Sequence, residues 1–242
     1  DGENLSRAGD VVVVSVNHRL NVLGYLDLSP FGEKYQDSAN AGNLDLIAAL
    51  EWIRDNIEGF GGDPENVTLF GQSGGGVKVW SLLQMPEADG LFHKGIIESG
   101  VVDPDLLGDT EDGNGREIVK AMLAELGLEE KDVDQLETLP YDQLAQAYEN
   151  AAPKVAQKGE YVGNHPHKNQ SYFGDAIKHG FREETKKIPL LIGTVLGEFD
   201  FGPAISGKYE FTKKEVEEKV SDALGEEGID LIDEFLKIYQ DK

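Results

Sequence analysis

The residues with the clearest chemical content are a serine and the small residues around it. Gly71 to Gly75 read G-Q-S-G-G, which fits the pattern G-x-S-x-G with Ser73 at its centre. A serine hydroxyl becomes a nucleophile when a base takes its proton, and small neighbours permit the sharp turn that presents the hydroxyl. The pentapeptide alone is a weak indication, because a glycine-rich chain can contain it by chance.

The segments on either side of this motif strengthen the interpretation. Val67 to Phe70 form a short apolar run typical of a buried strand, and Val77 to Leu83 read as the start of a helix. A strand, a glycine turn and a helix with serine at the turn form a nucleophile elbow. The N-terminus of the helix directs free N–H groups at negative charge that develops during a reaction. We therefore predict that Ser73 is a nucleophile.

Composition narrows the classes of partner and cofactor. The chain has 242 residues, with 46 acidic against 22 basic side chains and a net charge of −24. Nucleic acids and anionic membranes select basic surfaces, so neither is expected as a partner. The chain has no cysteine, and its carboxylates are not grouped with histidines, so we expect no metal and no other cofactor. The absence of cysteine fits both a cytoplasmic protein and a protein secreted by a bacterium.

The order of the predicted elements indicates an α/β fold. Residues 11–16 are an unbroken β-branched run, which predicts a strand covered on both faces, and 95–98 and 188–192 read as further buried strands. A helix is predicted over 43–58, with Asn43 as its N-cap and with Leu46, Leu50, Ile53 and Ile57 on one apolar face. Strands that alternate with helices predict a mostly parallel sheet with flanking helices. We take 1–242 as a single domain.

The region from about 101 to 187 interrupts this alternation. It contains an acidic, glycine-rich loop at 103–115, then predicted helices at 116–126, 133–139, 141–149 and 173–181. We interpret it as a helical excursion that forms a cap or a wall over the site. Beyond the last predicted strand, Thr212 and Glu215 form a capping box that predicts a helix, and another helix is predicted over 230–239.

Four stretches together resemble one family, the type-B carboxylesterases, which include bacterial para-nitrobenzyl esterases, animal carboxylesterases and cholinesterases. The matching stretches are 9–26, 41–76, 91–100 and 188–201. The resemblance implies the α/β-hydrolase fold and the hydrolysis of small-molecule carboxylic esters through an acyl-serine intermediate. It covers essentially the whole chain, which corresponds to the middle of the family domain. We therefore expect the domain to be truncated at both ends.

The resemblance also implies the catalytic acid. The family has a glutamate in the loop after a strand that reads like PLLIGT, and Glu198 stands in that position. The family usually has glycine directly after this glutamate, whereas this chain has Phe199. Asp200 is therefore the alternative acid.

Two further positions near the nucleophile match the family. The residue after the nucleophile supplies a backbone N–H to the oxyanion hole, and that residue is Gly74, where the family commonly has alanine. Ser99 matches a serine of the family's Q/E-S-G stretch, which implies a position in the second layer of the site. A simple hydrogen bond at a strand end accounts for Ser99 equally well.

The resemblance places a catalytic histidine after the acid, in the order serine, acid, histidine. The chain has five histidines, and all of them precede Glu198: His18, His93, His165, His167 and His179. The family's HGGG-like motif, which provides further oxyanion N–H groups, lies upstream of residue 1. We therefore expect the isolated chain to be weakly active or inactive, with the remaining part of the domain supplied by another chain or segment.

Two other classes of function compete with this interpretation. A non-catalytic relative used for binding or adhesion would explain the missing histidine, but it has no reason to keep a strained serine in an intact elbow. A nucleotide-binding protein could use a glycine-rich loop for phosphate, but the motif lacks the Walker lysine pattern, and Lys78 does not stand in one.

Overall fold

The computed structural model describes residues 2–101, 113–163, 165–195, 198 and 212–224, and these belong to two compact units, 1–194 and 195–242. The strands are β1 (Thr68–Gln72), β2 (Lys94–Glu98) and β3 (Leu190–Gly193). The helices are α1 (Glu3–Gly9), α2 (Asn21–Tyr25), α3 (Ala41–Asn56), α4 (Gly74–Leu82), α5 (Arg116–Glu125), α6 (Tyr141–Ala156), α7 (Ala176–His179) and α8 (Lys213–Leu224). Short 3₁₀ segments lie at Ser29–Phe31, Glu33–Tyr35, Ser38–Asn40, Ile57–Phe60, Pro86–Ala88 and Glu130–Glu137.

The three strands form a parallel sheet in the order β1-β2-β3. In the register, Phe70 of β1 pairs with Ile96 of β2, which pairs with Leu191 of β3. Parallel strands need crossover connections, and α4 provides the one between β1 and β2. The predicted α/β fold with a parallel sheet and flanking helices is therefore confirmed, with small shifts at the strand ends.

The strand predicted over residues 11–16 is wrong. Residues 11–20 have no regular secondary structure, and Val11, Val12, Val14 and Val16 are 40–45% exposed. A strand needs a hydrogen-bonding neighbour, and none of the strands in the described part of the chain pairs with this segment. The β-branched residues favour an extended backbone, but that preference alone does not make a strand. The helix α2 follows this segment directly.

The main core lies where α3 and α4 pack with the sheet. The predicted apolar face of α3 is buried through Leu46, Leu50 and Ile53, and Ile57 extends it beyond the end of the helix. From the sheet, Ile97 joins the same cluster and is fully buried. Each such aliphatic side chain contributes roughly 1.5–3 kcal/mol when it leaves water. This core fixes the helix that follows Ser73.

Asn43 is not the N-cap that the sequence predicted. The position before α3 is Asn40, and Asn43 lies inside the first turn, fully buried. The Asn43 amide donates a 2.8 Å hydrogen bond to the Ser81 hydroxyl, and its oxygen accepts a 2.9 Å hydrogen bond from the Tyr25 hydroxyl. A buried amide needs such partners. Asn43 therefore joins α2, α3 and α4.

The helical excursion is confirmed in the part of it that the structure describes. Helices α5 and α6 pack together around a second cluster in which Ile118, Met122 and Ala151 are fully buried. The beginning of the predicted loop, residues 103–112, lies outside the described residues. Where the chain is described again, the Gly115 N–H donates a 2.8 Å hydrogen bond to the buried carboxylate of Asp27. Asp27 thus anchors the start of α5.

The second unit contains α8, and the predicted capping box at its start is confirmed. The Thr212 N–H donates a 2.8 Å hydrogen bond to a Glu215 carboxylate oxygen, and the Glu215 N–H donates to the Thr212 hydroxyl at 3.4 Å. The helix predicted over 230–239 lies outside the described residues. Among the helices that the structure describes, none has the length and apolar composition needed to cross a membrane.

We expect the isolated chain to be marginally stable and to aggregate or to bind a partner over the sheet. Phe70 and Leu191 lie in one row across the sheet and are 53% and 66% exposed. Exposed apolar sheet surface of this kind favours association. Size-exclusion chromatography with light scattering should show assemblies larger than one chain, and thermal unfolding should be broad. A monomer with a sharp two-state transition would contradict this prediction.

Candidate active site

Ser73 lies in the turn between β1 and α4 with an unusual backbone conformation. Its φ is 52° and its ψ is −121°, a combination of backbone angles that residues other than glycine rarely adopt. The Ser73 N–H donates a 2.8 Å hydrogen bond to the Glu98 carbonyl, and the Ser73 carbonyl accepts one of 2.9 Å from Val77 N–H. The residue is exposed. The strand, sharp turn and helix predicted from the sequence are therefore present, with Ser73 at the turn.

Close approach of the backbone explains the glycines of the motif. A Cβ added at Gly71 would lie 2.4 Å from the Gly75 carbonyl carbon, and one added at Gly100 would lie 2.5 Å from the Gly76 Cα. Side chains at these positions would force backbone to move. Gly100, after β2, therefore packs directly against Gly76 in the first turn of α4, and this contact holds the Ser73 turn against the neighbouring strand.

Gly74 is different, because a Cβ added there would meet no atom within 4 Å. Gly74 is the first residue of α4, and the first N–H groups of a helix have no acceptor within the helix. This position is compatible with donation of its N–H to an oxyanion, and the role of Gly74 in the oxyanion hole stays a prediction. Alanine, which the family commonly has here, would fit as well.

Substitutions at two glycines of the motif should have opposite outcomes. Gly71→Ala should lower the free energy of unfolding by about 1–3 kcal/mol or more, because the new methyl group meets backbone. Gly74→Ala should leave it unchanged or slightly higher, because the site is open and alanine favours helix. Urea unfolding followed by circular dichroism measures both. Equal stability of the two variants would contradict the packing described for this turn.

Ser99 takes the position on β2 that Ser73 takes on β1. Gln72 pairs with Glu98 in the register, and each serine directly follows one of these residues. Ser99 also has φ 52°, and its N–H donates a 2.7 Å hydrogen bond to the Gly193 carbonyl of β3. The two serines therefore lie side by side at the carboxyl edge of the sheet. The hydrogen bond at the strand end is present, and the second-layer role of Ser99 stays a prediction.

Glu198 lies in the second unit, a few residues beyond β3. Its side chain accepts a 3.0 Å hydrogen bond from the Val195 N–H, which closes a short turn. The residue is exposed. Phe199 and the alternative acid Asp200 lie outside the described residues. The assignment of Glu198 as the catalytic acid stays a prediction.

Comparison with known proteins decides the family. The model of the carboxylesterase family matches residues 1–232. The chain belongs to the carboxylesterase family. The para-nitrobenzyl esterase of Bacillus subtilis (strain 168) is 39% identical over 208 residues, which cover 82% of this chain and 39% of the relative.

Solved carboxylesterase structures give the same result for the fold. An esterase from anaerobic Clostridium hathewayi, which can hydrolyze aliphatic aromatic polyesters, has a TM-score of 0.84 and 51% identity over 100% of this chain and 48% of its own. A thermophilic para-nitrobenzyl esterase has a TM-score of 0.70 and 35% identity over 93% of this chain and 45% of its own. The α/β-hydrolase fold is thus confirmed. The chain spans less than half the length of each of these three relatives.

The histidines of this carboxylesterase chain have structural contacts of several kinds. His93 is half-buried, and its Nδ1 accepts a 3.2 Å hydrogen bond from the Val67 N–H just before β1. His165 and His167 lie against the ring of Tyr161, with centroid distances of 6.1 and 4.5 Å. Buried Asn40 bonds both the N–H and the carbonyl of His167. These contacts account for the stretch H-P-H as a packed segment of the excursion.

In the described ranges, no group of three or more histidine, aspartate or glutamate side chains is arranged to hold a metal ion.

The sequence did not predict two features of the carboxylesterase site. One is the strained backbone of Ser99, and the other is the contact between Gly76 and Gly100. The Ser-Gly pair after β2 was the available signal, since it resembles the Ser-Gly pair of the elbow.

Proposed function

We propose that the protein containing this chain is a serine carboxylesterase that hydrolyses small-molecule esters through an acyl-serine intermediate. The observation that carries the proposal is the backbone of Ser73, a non-glycine residue at φ 52° between a strand and a helix. Strain of this kind persists where a function requires it. Membership of the carboxylesterase family makes ester hydrolysis the reaction to test.

The reaction begins with the Ser73 hydroxyl. A base removes its proton while the oxygen attacks the ester carbonyl carbon, which becomes tetrahedral and carries a negative oxygen. The Gly74 N–H at the start of α4 then donates to this oxygen. One such donor is worth about 3–4 kcal/mol of transition-state stabilisation. Collapse of the intermediate releases the alcohol and leaves the acyl group on Ser73, from which water removes it.

The remaining roles follow the family order of residues. Glu198 orients the base and stabilises its protonated form, with Asp200 as the alternative. Ser99 lies beside Ser73 at the sheet edge and supports the site from the second layer. The base is a histidine from the part of the domain that these residues do not include. We propose that this part joins the chain as another segment or as a separate chain.

One structural relative suggests a substrate class. The Clostridium hathewayi esterase, 51% identical to this chain, can hydrolyze aliphatic aromatic polyesters. Aliphatic aromatic esters are therefore the first substrates to test beyond simple nitrophenyl esters. A binding or adhesion function is the alternative.

The test uses a complete domain in which this chain replaces the matching half of the Clostridium hathewayi esterase. Hydrolysis of p-nitrophenyl butyrate with an initial burst of nitrophenolate is expected, because an acyl-enzyme accumulates. The unchanged esterase serves as the positive control. A soluble, folded complete domain without ester hydrolysis would favour the binding function.

A further inference from the structure

The last part of the helical excursion packs on the helix that follows the nucleophile turn. Tyr172 and Ala176 belong to the main core around α4, whereas α5 and α6 surround the second cluster. Phe181 packs against the main core and meets the ring of Trp80 edge to face, with 5.2 Å between the ring centroids. Residues 172–182, which we call the clasp, therefore connect the excursion to α4.

A hydrogen bond between two side chains joins the clasp to α4. The Nε1–H of Trp80, a residue that is 7% exposed, donates a 3.0 Å hydrogen bond to Asp175 Oδ2. The other carboxylate oxygen of Asp175 accepts a 2.7 Å hydrogen bond from the Ile177 N–H in α7. Asp175 therefore holds its own segment with one oxygen and Trp80 with the other. A buried indole N–H needs an acceptor, so a shift of Trp80 is opposed by the loss of this one.

The two ends of α4 are held by different parts of the fold. Gln84, two residues beyond α4, donates a 3.0 Å hydrogen bond from its side-chain amide to the Gly180 carbonyl. The Gln84 carbonyl accepts a 3.1 Å hydrogen bond from the Phe173 N–H. At the start of the helix, Gly76 packs against Gly100 beside β2. The sheet thus holds the end of α4 next to the nucleophile, and the clasp holds the far end.

On the basis of the function proposed above, we propose that Asp175 is a positioning residue for ester hydrolysis. It acts through Trp80 to fix the position of α4, and α4 in turn fixes the Ser73 hydroxyl and the Gly74 N–H. The helix has nine residues and continues directly from Ser73, so it carries a displacement at Trp80 to its first turn. A strained residue keeps its conformation only where the surrounding structure enforces it.

The size of the effect follows from the precision that catalysis needs. A misplacement of about 1 Å far from the chemistry can reduce the rate by about 100-fold. Loss of one hydrogen bond leaves Phe181 and Gln84 in contact with their partners, so the helix should move by less than that. We therefore expect a loss in kcat of about tenfold when the bond between Trp80 and Asp175 is removed.

The experiment measures kcat and KM for p-nitrophenyl butyrate in the complete domain with Asp175→Asn, with Trp80→Phe and with both. Each single variant should lower kcat about tenfold and change KM by less than about twofold, because the surface that binds the substrate is unchanged. The double variant should lose about as much as the larger single loss, because both changes remove the same hydrogen bond. Losses that multiply in the double variant, or an unchanged kcat in the single variants, would overturn the proposal.

Asp89→Asn is the matched control, because it breaks another attachment of the clasp at a point beyond α4. Arg182 Nη1 donates a 2.9 Å hydrogen bond to Asp89 Oδ1, and the Arg182 side chain is 9% exposed. Removing the carboxylate from a buried arginine should lower Tm at least as much as Asp175→Asn does. It should leave kcat within about twofold. Equal losses of kcat in the two variants would mean that the clasp contributes only stability, and the proposal would be wrong.

Hydrogen exchange reads the position of α4 without catalysis. The Val77 N–H donates a 2.9 Å hydrogen bond to the Ser73 carbonyl, so a shift of the first turn should speed its exchange. In the complete domain, peptides covering 74–82 should exchange several-fold faster with Asp175→Asn than with Asp89→Asn. A folded domain without ester hydrolysis would contradict the proposed function, whereas equal exchange in the two variants would contradict the positioning of α4 by Asp175.

Discussion

Ser73→Ala in the complete domain should lower kcat for p-nitrophenyl butyrate by on the order of 10⁶-fold. The variant keeps the α4 N-terminus and the oxyanion donor but has no atom that can form the acyl intermediate. KM should change little, because the substrate still binds the same surface. The remaining rate should exceed that in water, owing to binding and the oxyanion donor.

Ser99→Ala is the matched control for this prediction. Ser99 has the same φ of 52° and lies at the same edge of the sheet, so any strain on replacing serine is shared. Its replacement should reduce kcat by less than about tenfold, because a second-layer hydroxyl acts only through the groups it supports. Equal losses for the two variants, or a larger loss for Ser99→Ala, would contradict the assignment of Ser73 as the nucleophile.

Glu198→Gln should produce the second large effect, a loss in kcat of about 10³–10⁴-fold. Glutamine keeps the size of the side chain but cannot stabilise a protonated histidine, and it can favour the wrong tautomer of the imidazole. Asp200→Asn, two residues further on, is the control and should cost less than about tenfold. Steady-state kinetics with p-nitrophenyl butyrate measures both. The reverse order of effects would make Asp200 the acid.

The parts of the fold that depend on local sequence were predictable. The elbow combines an apolar strand, closely packed glycines and a helix, and each of these is set by residues within a few positions of Ser73. The capping box at Thr212 is equally local. The apolar face of α3 was found from its helical period, because Leu46, Leu50 and Ile53 repeat at the spacing of a helix.

The parts that depend on distant neighbours were not predictable. Residues 11–16 have every local property of a strand, but pairing requires a neighbour, and no local pattern supplies one. Asn43 looked like an N-cap because asparagine favours that position, whereas the structure uses its amide to join Tyr25 and Ser81. The role of a buried polar residue depends on its hydrogen-bonding partners, and the partners of Asn43 lie 18 and 38 residues away along the chain.

The candidate site divides in the same way. Ser73 was predicted from one motif, and Gly74 and Ser99 from the family resemblance, while the register between β1 and β2 was needed to place Ser99 beside Ser73. The contact between the Lys78 amine and the ring of Tyr25 could not be read from the sequence, because Tyr25 lies on another helix. The features that were missed depend on neighbours in space that lie far apart along the chain, whereas the features that were predicted depend on local residue types.

Fluorophosphonate labelling with peptide mapping tests the central claim most directly, since the probe reacts covalently with an activated serine. In the complete domain, we expect one label, on the peptide that contains Ser73, and none after Ser73→Ala. The isolated 242-residue chain should label far more slowly, because it lacks the histidine in the required order. A complete domain that hydrolyses esters but carries the label on another residue, or carries none, would contradict the role of Ser73.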